Sequence, residues 1–228
     1  KCGRAAFMPT LDDARALARS MVEVGSALGM EVTAQITSMN HPIGRLLGNA
    51  HEVAESVACL KGEGPKDTME LVRMQGAALG ADVDAVIADG SALDAFAQMC
   101  RRQGVDEATV TSLIADPWSV LPRGSSRTTI VAPTSGWISG IDALALGRAL
   151  VQIGAGRTHP DDALDLGAGI ELLTTVGAHV EAGAPLAHID HNMTEGVPDV
   201  VEAFVIGAEA VSVPGSRLLE TVRLDEGG

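Results

Sequence analysis

Apolar residues recur at Ala14, Leu17, Met21, Val24 and Leu28, at spacings of three and four. That is the period of a helix with one apolar face, so these five are expected to form its buried stripe. Thr10, with Asp13 in the first turn, reads as the start of this helix and Gly29 as its end. Residues 31–37 alternate and carry β-branched side chains, which predicts a strand, and 38–48 read as a loop around Pro42 and Gly44. A second helix is expected from Asn49, with Ala50, Val53, Val57 and Leu60 on one face, stopped by Lys61-Gly-Glu-Gly-Pro65. A third is expected from Lys66 to Leu79. Residues 82–115 read as further helices with Leu93, Phe96 and Cys100 as a core stripe. Helix, strand and helix in that order point to an α/β layer rather than a bundle.

The pattern changes near Arg127. Pro117, Pro122 and Gly124-Ser-Ser126 mark a boundary. Beyond it, residues 128–132, 136–142, 171–175 and 185–190 are short strand candidates separated by Gly and Pro, and one helix-like insert covers 143–153. No repeat of fixed period is present.

Composition adds constraints to this picture. Hydrophobic residues make up 46% of the 228 residues but aromatics only 2%, so the core is built from aliphatic side chains. A net charge of −14 repels phosphate backbones and anionic surfaces, which argues against nucleic acid and membranes as partners. There is no run of eighteen apolar residues and no signal-peptide pattern. Cys2, Cys59 and Cys100 form no CxxC pair, and their odd number fits a reducing, cytoplasmic setting. His188, Asp190 and His191 lie close together, but no further cluster supports a metal there.

Several blocks carry a family resemblance. Lys1-Cys-Gly-Arg-Ala-Ala-Phe-Met8 resembles the Lys-x-Gly-x-(Gly/Ala)-Ala-Phe-Met loop of thymidine phosphorylases. Ser38-Met-Asn-His-Pro-Ile-Gly44 resembles their Asp-Met-Asn-Gln-Pro-Leu-Gly segment, and the block starting Gly48-Asn-Ala-His-Glu-Val resembles Gly-Asn-Ala-Leu-Glu-Val. Leu60-Lys-Gly-Glu-Gly-Pro65, Ala132-Pro-Thr-Ser-Gly-Trp137 and Gly154-Ala-Gly-Arg157 follow in the family's order. The likeness covers most of residues 1–191. Gln35-Ile-Thr-Ser38 and His41 depart from the pattern, and after Asp190 the likeness is loose, so nothing is carried over there.

The resemblance implies an α/β fold. Residues 1–123 would be the C-terminal half of the central domain of a pyrimidine-nucleoside phosphorylase. Residues 124–195 would be its small α+β, barrel-sandwich-like C-terminal domain, with 196–228 as an extension. It implies phosphorolysis of a pyrimidine nucleoside, with inorganic phosphate as co-substrate, no organic cofactor, and a homodimer when full length. The family's phosphate-binding and base-holding residues have no match here, so no catalytic residue is expected in this chain, which is expected to be incomplete and inactive alone. The remaining carry-over is one wall of the pocket: Phe7 against the pyrimidine ring, with Met8 and Lys1 near the substrate. On residue chemistry alone Phe7 reads as a core residue after a strand; the motif reverses that. A monovalent cation such as potassium, held in some relatives, maps to the backbone carbonyls of Ile43 and Leu46 and the carboxylate of Glu55.

Of three rival readings, the first fails on chemistry. A lipoyl or biotinyl carrier needs an exposed lysine, and residues 67–228 contain none. A non-catalytic binding protein built on the same scaffold, and a phosphorylase of nucleoside monophosphates, stay open.

Overall fold

The computed structural model describes residues 1–213 and 215–224. Helix α1 (Leu11–Ala27) starts where the sequence predicts: the Thr10 hydroxyl accepts the Asp13 N–H at 3.2 Å and donates to its carboxylate at 2.6 Å. Its buried face differs from the expected one. Ala14, Ala18, Val22 and Gly25 point inward, while Leu17, Met21, Val24 and Leu28 are exposed, Leu28 by 72%. The reason is the surface beneath. Strand β1 (Ala34–Thr37) pairs antiparallel with only one other strand, residues Leu218–Val222, and this two-stranded sheet offers α1 a single narrow strip. Small residues let the helix lie close on it, forming a core of Cys2, Ala14, Ala18 and Ile36 with Met8, Leu11, Ala34 and Val222 against it. The strand is also shorter than residues 31–37, because its partner covers only Ala34–Thr37.

The expected loop contains a two-residue strand, β2 (Leu46–Leu47), and runs into α2 (Asn49–Leu60), which buries Ala50, His51, Ala54 and Val57. Helices α3 (Lys66–Ala78), α4 (Val83–Ala88), α5 (Ser91–Arg102) and α6 (Glu107–Ala115) follow. On α5 the stripe Leu93, Phe96 and Cys100 is only half-buried, and the small Ala97 makes the tight contact.

The remaining strands are β3 (Ser126–Val131), β4 (Gly136–Ile141), β5 (Gly169–Leu172), β6 (His179–Val180), β7 (Pro185–His191), β8 (Phe204–Gly207) and β9 (Leu218–Val222), with α7 (Ala143–Gln152) after β4. One antiparallel sheet runs β2-β5-β7-β3 and another β6-β4-β8. Both sheets and α7 share one aliphatic core, including the fully buried Ile138, Leu146, Ile170, Leu186 and Ile189. The molecule is therefore mixed α/β, with three sheets among the described residues. The pattern of apolar positions had not marked β6, β8 or β9. The tail beyond residue 196 is built into the fold at two places, through β8 on β4 and β9 on β1.

Candidate functional site

Two loops form a platform at the N-terminal end of α1. Cys2 donates its N–H to Thr37 O at 2.8 Å, and Met39 returns one to Cys2 O at 2.7 Å. Within the first loop, Gly3 N donates to Met8 O and Ala6 N to Gly3 O, which closes a short loop that contains Phe7. The Phe7 ring is 89% exposed, and so is not a core residue. Lys1, six residues earlier, is exposed, and Met8 is half-buried against the α1–β1 core. Arg4 reaches Asp142, the N-cap of α7, at 3.2 Å, and His41 Nδ1 lies 3.1 Å from the Ile141 carbonyl oxygen. Both loops are thus tied to the β4–α7 corner.

The second loop continues to Glu55 on α2. The Glu55 carboxylate accepts the N–H groups of Arg45 at 2.7 Å and Leu46 at 3.0 Å. Gly44 has φ +76°, and a Cβ there would lie 2.0 Å from Glu55 Oε2, so only glycine lets the carboxylate reach this turn. Burial raises the Glu55 pKa, partly offset by those two backbone bonds and reinforced by the charges of Asp67 and Glu52. The structure thus brings the segment holding Ile43 and Leu46 together with Glu55, in a corner where Asp67 accepts the Gly44 N–H at 3.3 Å.

A second polar cluster is buried where α2 meets β7. His51 (0% exposed) places Nε2 3.0 Å from Asp190 Oδ2, and Asp190 (2% exposed) also accepts from Arg123 at 2.7 Å and from Arg127 at 2.7 and 2.9 Å. Arg127 lies 3.2 Å from Glu171, and Arg123 stacks 4.3 Å over Trp118. Burial pushes the Asp190 pKa up, but the hydrogen bonds from Arg127, Arg123 and His51 outweigh it and hold the carboxyl well below its usual range. Burial lowers the His51 pKa, and the Asp190 contact only partly restores it. The pair is therefore a neutral imidazole donating to a carboxylate. His51 Nδ1 has no partner among the described residues; it packs against Gly169, where a Cβ would come within 2.2 Å. No group of three His, Cys, Asp or Glu among the described residues is arranged to hold a metal, and Asp190 is fully engaged by its cationic neighbours.

Against known proteins, residues 137–208 match the pyrimidine nucleoside phosphorylase C-terminal domain. The chain is 38% identical to human thymidine phosphorylase over 202 residues, covering 81% of this chain and 42% of the human one. It is 36% identical to the pyrimidine-nucleoside phosphorylase of Bacillus subtilis over 226 residues, 92% of this chain and 51% of the other. With thymidine phosphorylase of Mycobacterium tuberculosis, strain H37Rv, identity is 39% over 202 residues, 86% and 45% of the two chains. This chain resembles the thymidine and pyrimidine-nucleoside phosphorylases. It spans about half the length of the curated relatives it matches.

Within this phosphorylase-like chain, the motif blocks converge: those around Phe7 and residues 38–44 share the platform, and the block around Glu55 closes on its far end. Two features escaped sequence reasoning. His51 stands where the phosphorylase motif quoted above has leucine, yet its partner Asp190 lies 139 residues away. Arg217, in the tail where the resemblance to phosphorylases fades, donates to the carbonyls of Ser38 (3.4 Å), His41 (3.1 Å) and Pro42, and to Asp67 at 2.7 Å. No local spacing signals either one. No helix of the described residues is long and apolar enough to cross a membrane.

Proposed function

We propose that this chain is part of a pyrimidine-nucleoside phosphorylase, which converts a pyrimidine nucleoside and inorganic phosphate into free base and pentose 1-phosphate. In that reaction a phosphate oxygen attacks the anomeric carbon, the glycosidic C–N bond breaks and the base departs carrying the electron pair. The observation that carries this reading is Phe7: one of only three phenylalanines, it stands almost wholly in solvent on a hydrogen-bonded platform of two family-like loops. A rigid aromatic face held out in this way suits a flat pyrimidine, with Met8 and Lys1 flanking the nucleoside.

The carbonyls of Ile43 and Leu46 with Glu55 are proposed to hold a monovalent cation such as potassium. The donor set fits: oxygen ligands suit a hard cation, and Glu55 sets its carboxylate in a half-buried corner beside Asp67, which Arg217 already pairs. When bound, the ion supplies charge neutralisation and stiffens the loop leading to the platform; it takes no part in bond breaking.

Phosphate binding is assigned to parts of the whole protein outside these 228 residues. Within the Phe7 loop, residues 1–8, the cationic side chains are Lys1 and Arg4, and Arg4 is engaged by Asp142. The chain by itself is therefore expected to be inactive, and the whole protein to be a cytoplasmic homodimer without an organic cofactor. The deciding experiment follows phosphate-dependent thymine release from thymidine by the complete gene product, with uridine and the 228-residue chain in parallel. Turnover by the complete product alone supports the reading. Turnover by the 228-residue chain overturns its assigned inactivity. Absence of release from any nucleoside by the complete product leaves a phosphorylase-like scaffold with a binding role.

A further inference from the structure

We infer that Arg217 is a positioning residue for the nucleoside site, setting the shape of the loop on which the Phe7 platform rests. This rests on the phosphorylase reading above.

The loop from Ser38 to Gly44 contains no strand or helix, so its carbonyls have no ladder to satisfy them. Three of them, from Ser38, His41 and Pro42, converge on the guanidinium of Arg217. The planar fork of an arginine can bond several oxygens at fixed angles, which a flexible ammonium cannot reproduce. The loop therefore takes its curvature from one side chain on the segment just before β9.

The arginine is itself held from behind. Asp67 of α3 accepts from it at 2.7 Å, and the same Asp67 oxygen accepts the Gly44 N–H, so loop and clamp share one carboxylate. Glu70, one turn later, accepts the Arg217 N–H at 3.2 Å and the Ser216 hydroxyl. The β1–β9 register shifts between Ile36 and Thr37, where Thr37 pairs with Leu218. A bulge of this kind re-aims the strand end, and here the segment beside it carries Arg217 over the loop. The Arg217 carbonyl accepts from Ser38 N at 2.8 Å, one residue before Met39 bonds to Cys2 of the Phe7 loop. From guanidinium to platform the path is a continuous run of hydrogen bonds.

The test uses the complete gene product as wild type, R217M and R217K, with hydrogen–deuterium exchange and thymidine kinetics on each. In R217M, amides of residues 38–44 and 2–8 are expected to exchange on the order of tenfold faster, as when one or two hydrogen bonds are lost. Amides of β7 should stay as protected as in the wild type, which separates a local effect from misfolding. The value of kcat/KM is expected to fall roughly 10- to 100-fold, mainly through KM, since the misplaced groups hold the nucleoside. R217K should recover part of the KM but not the full protection. Unchanged exchange in residues 38–44, or an equal rise across β7, overturns the clamp. Faster loop exchange with unaltered KM overturns the positioning role alone. Absence of phosphorolysis in the wild type overturns the phosphorylase reading and the positioning role with it, whatever the exchange shows.

Discussion

Phe7 and His51 are opposites in solvation, and each makes its own prediction. Because Phe7 is almost fully exposed, removing its ring costs the fold little, and its loss should be read in substrate binding. F7A is expected to leave the melting temperature nearly unchanged and to lower kcat/KM for thymidine about fivefold, from about 1 kcal/mol of lost ring contact; thermal unfolding and initial-rate kinetics check both halves. His51 is neutral in the fold, its pKa held below the unfolded value of about 6.5. The native state thus binds fewer protons there than the unfolded chain does. Its contribution is complete above about pH 6.5 and is lost as the pH falls through the lowered folded pKa. Asp190 behaves in the same sense at lower pH, below the ordinary carboxylate range near 4. Wild type should therefore melt at lower temperature at pH 5 than at pH 7. H51L should flatten that slope while staying within about 1 kcal/mol of wild type at pH 7, because Asp190 keeps both arginines and an unpartnered buried nitrogen is removed. An equally steep slope in H51L would assign the pH dependence to other groups.

Among the elements, the junction of the 38–47 loop with α2 is where charge and backbone meet. Glu55 caps two loop amides although burial disfavours its ionised form. A cation there should raise the melting temperature with the logarithm of its concentration once that exceeds Kd, in potassium but not in tetramethylammonium. E55Q should abolish the difference between the two salts; persistence of the difference in E55Q would place the ion elsewhere. The sequence was informative at this level wherever local rules act. The start of α1 at Thr10, the interruption at Gly44 and the helix α7 over Ala143–Gln152 all follow from capping, φ freedom and periodicity. It misled where the partner decides: α1 turns Ala18 and Val22 inward instead of Leu17 and Met21, because the width of the sheet beneath, not hydrophobicity, chooses the face. The two loops of the candidate site were legible as motifs. Arg217, which holds the second loop, and Asp190, the partner of His51, were not, since both act across distances that no spacing rule encodes.

At the scale of the whole molecule, β2 and α2 join the early part of the chain to the β5–β7 sheet, and β9 brings the late part back to β1. Contacts of such separation slow folding, because loop closure precedes any gain from pairing. Their order has a consequence for biosynthesis. Residues 1–47 leave the ribosome before the rest of the described chain, yet β1 has its partner strand, and the 38–42 loop its guanidinium, only after residue 222 has emerged. Until then the Phe7 loop is a motif without a scaffold, and a nascent chain cannot present the finished platform before nearly every residue described here has been made.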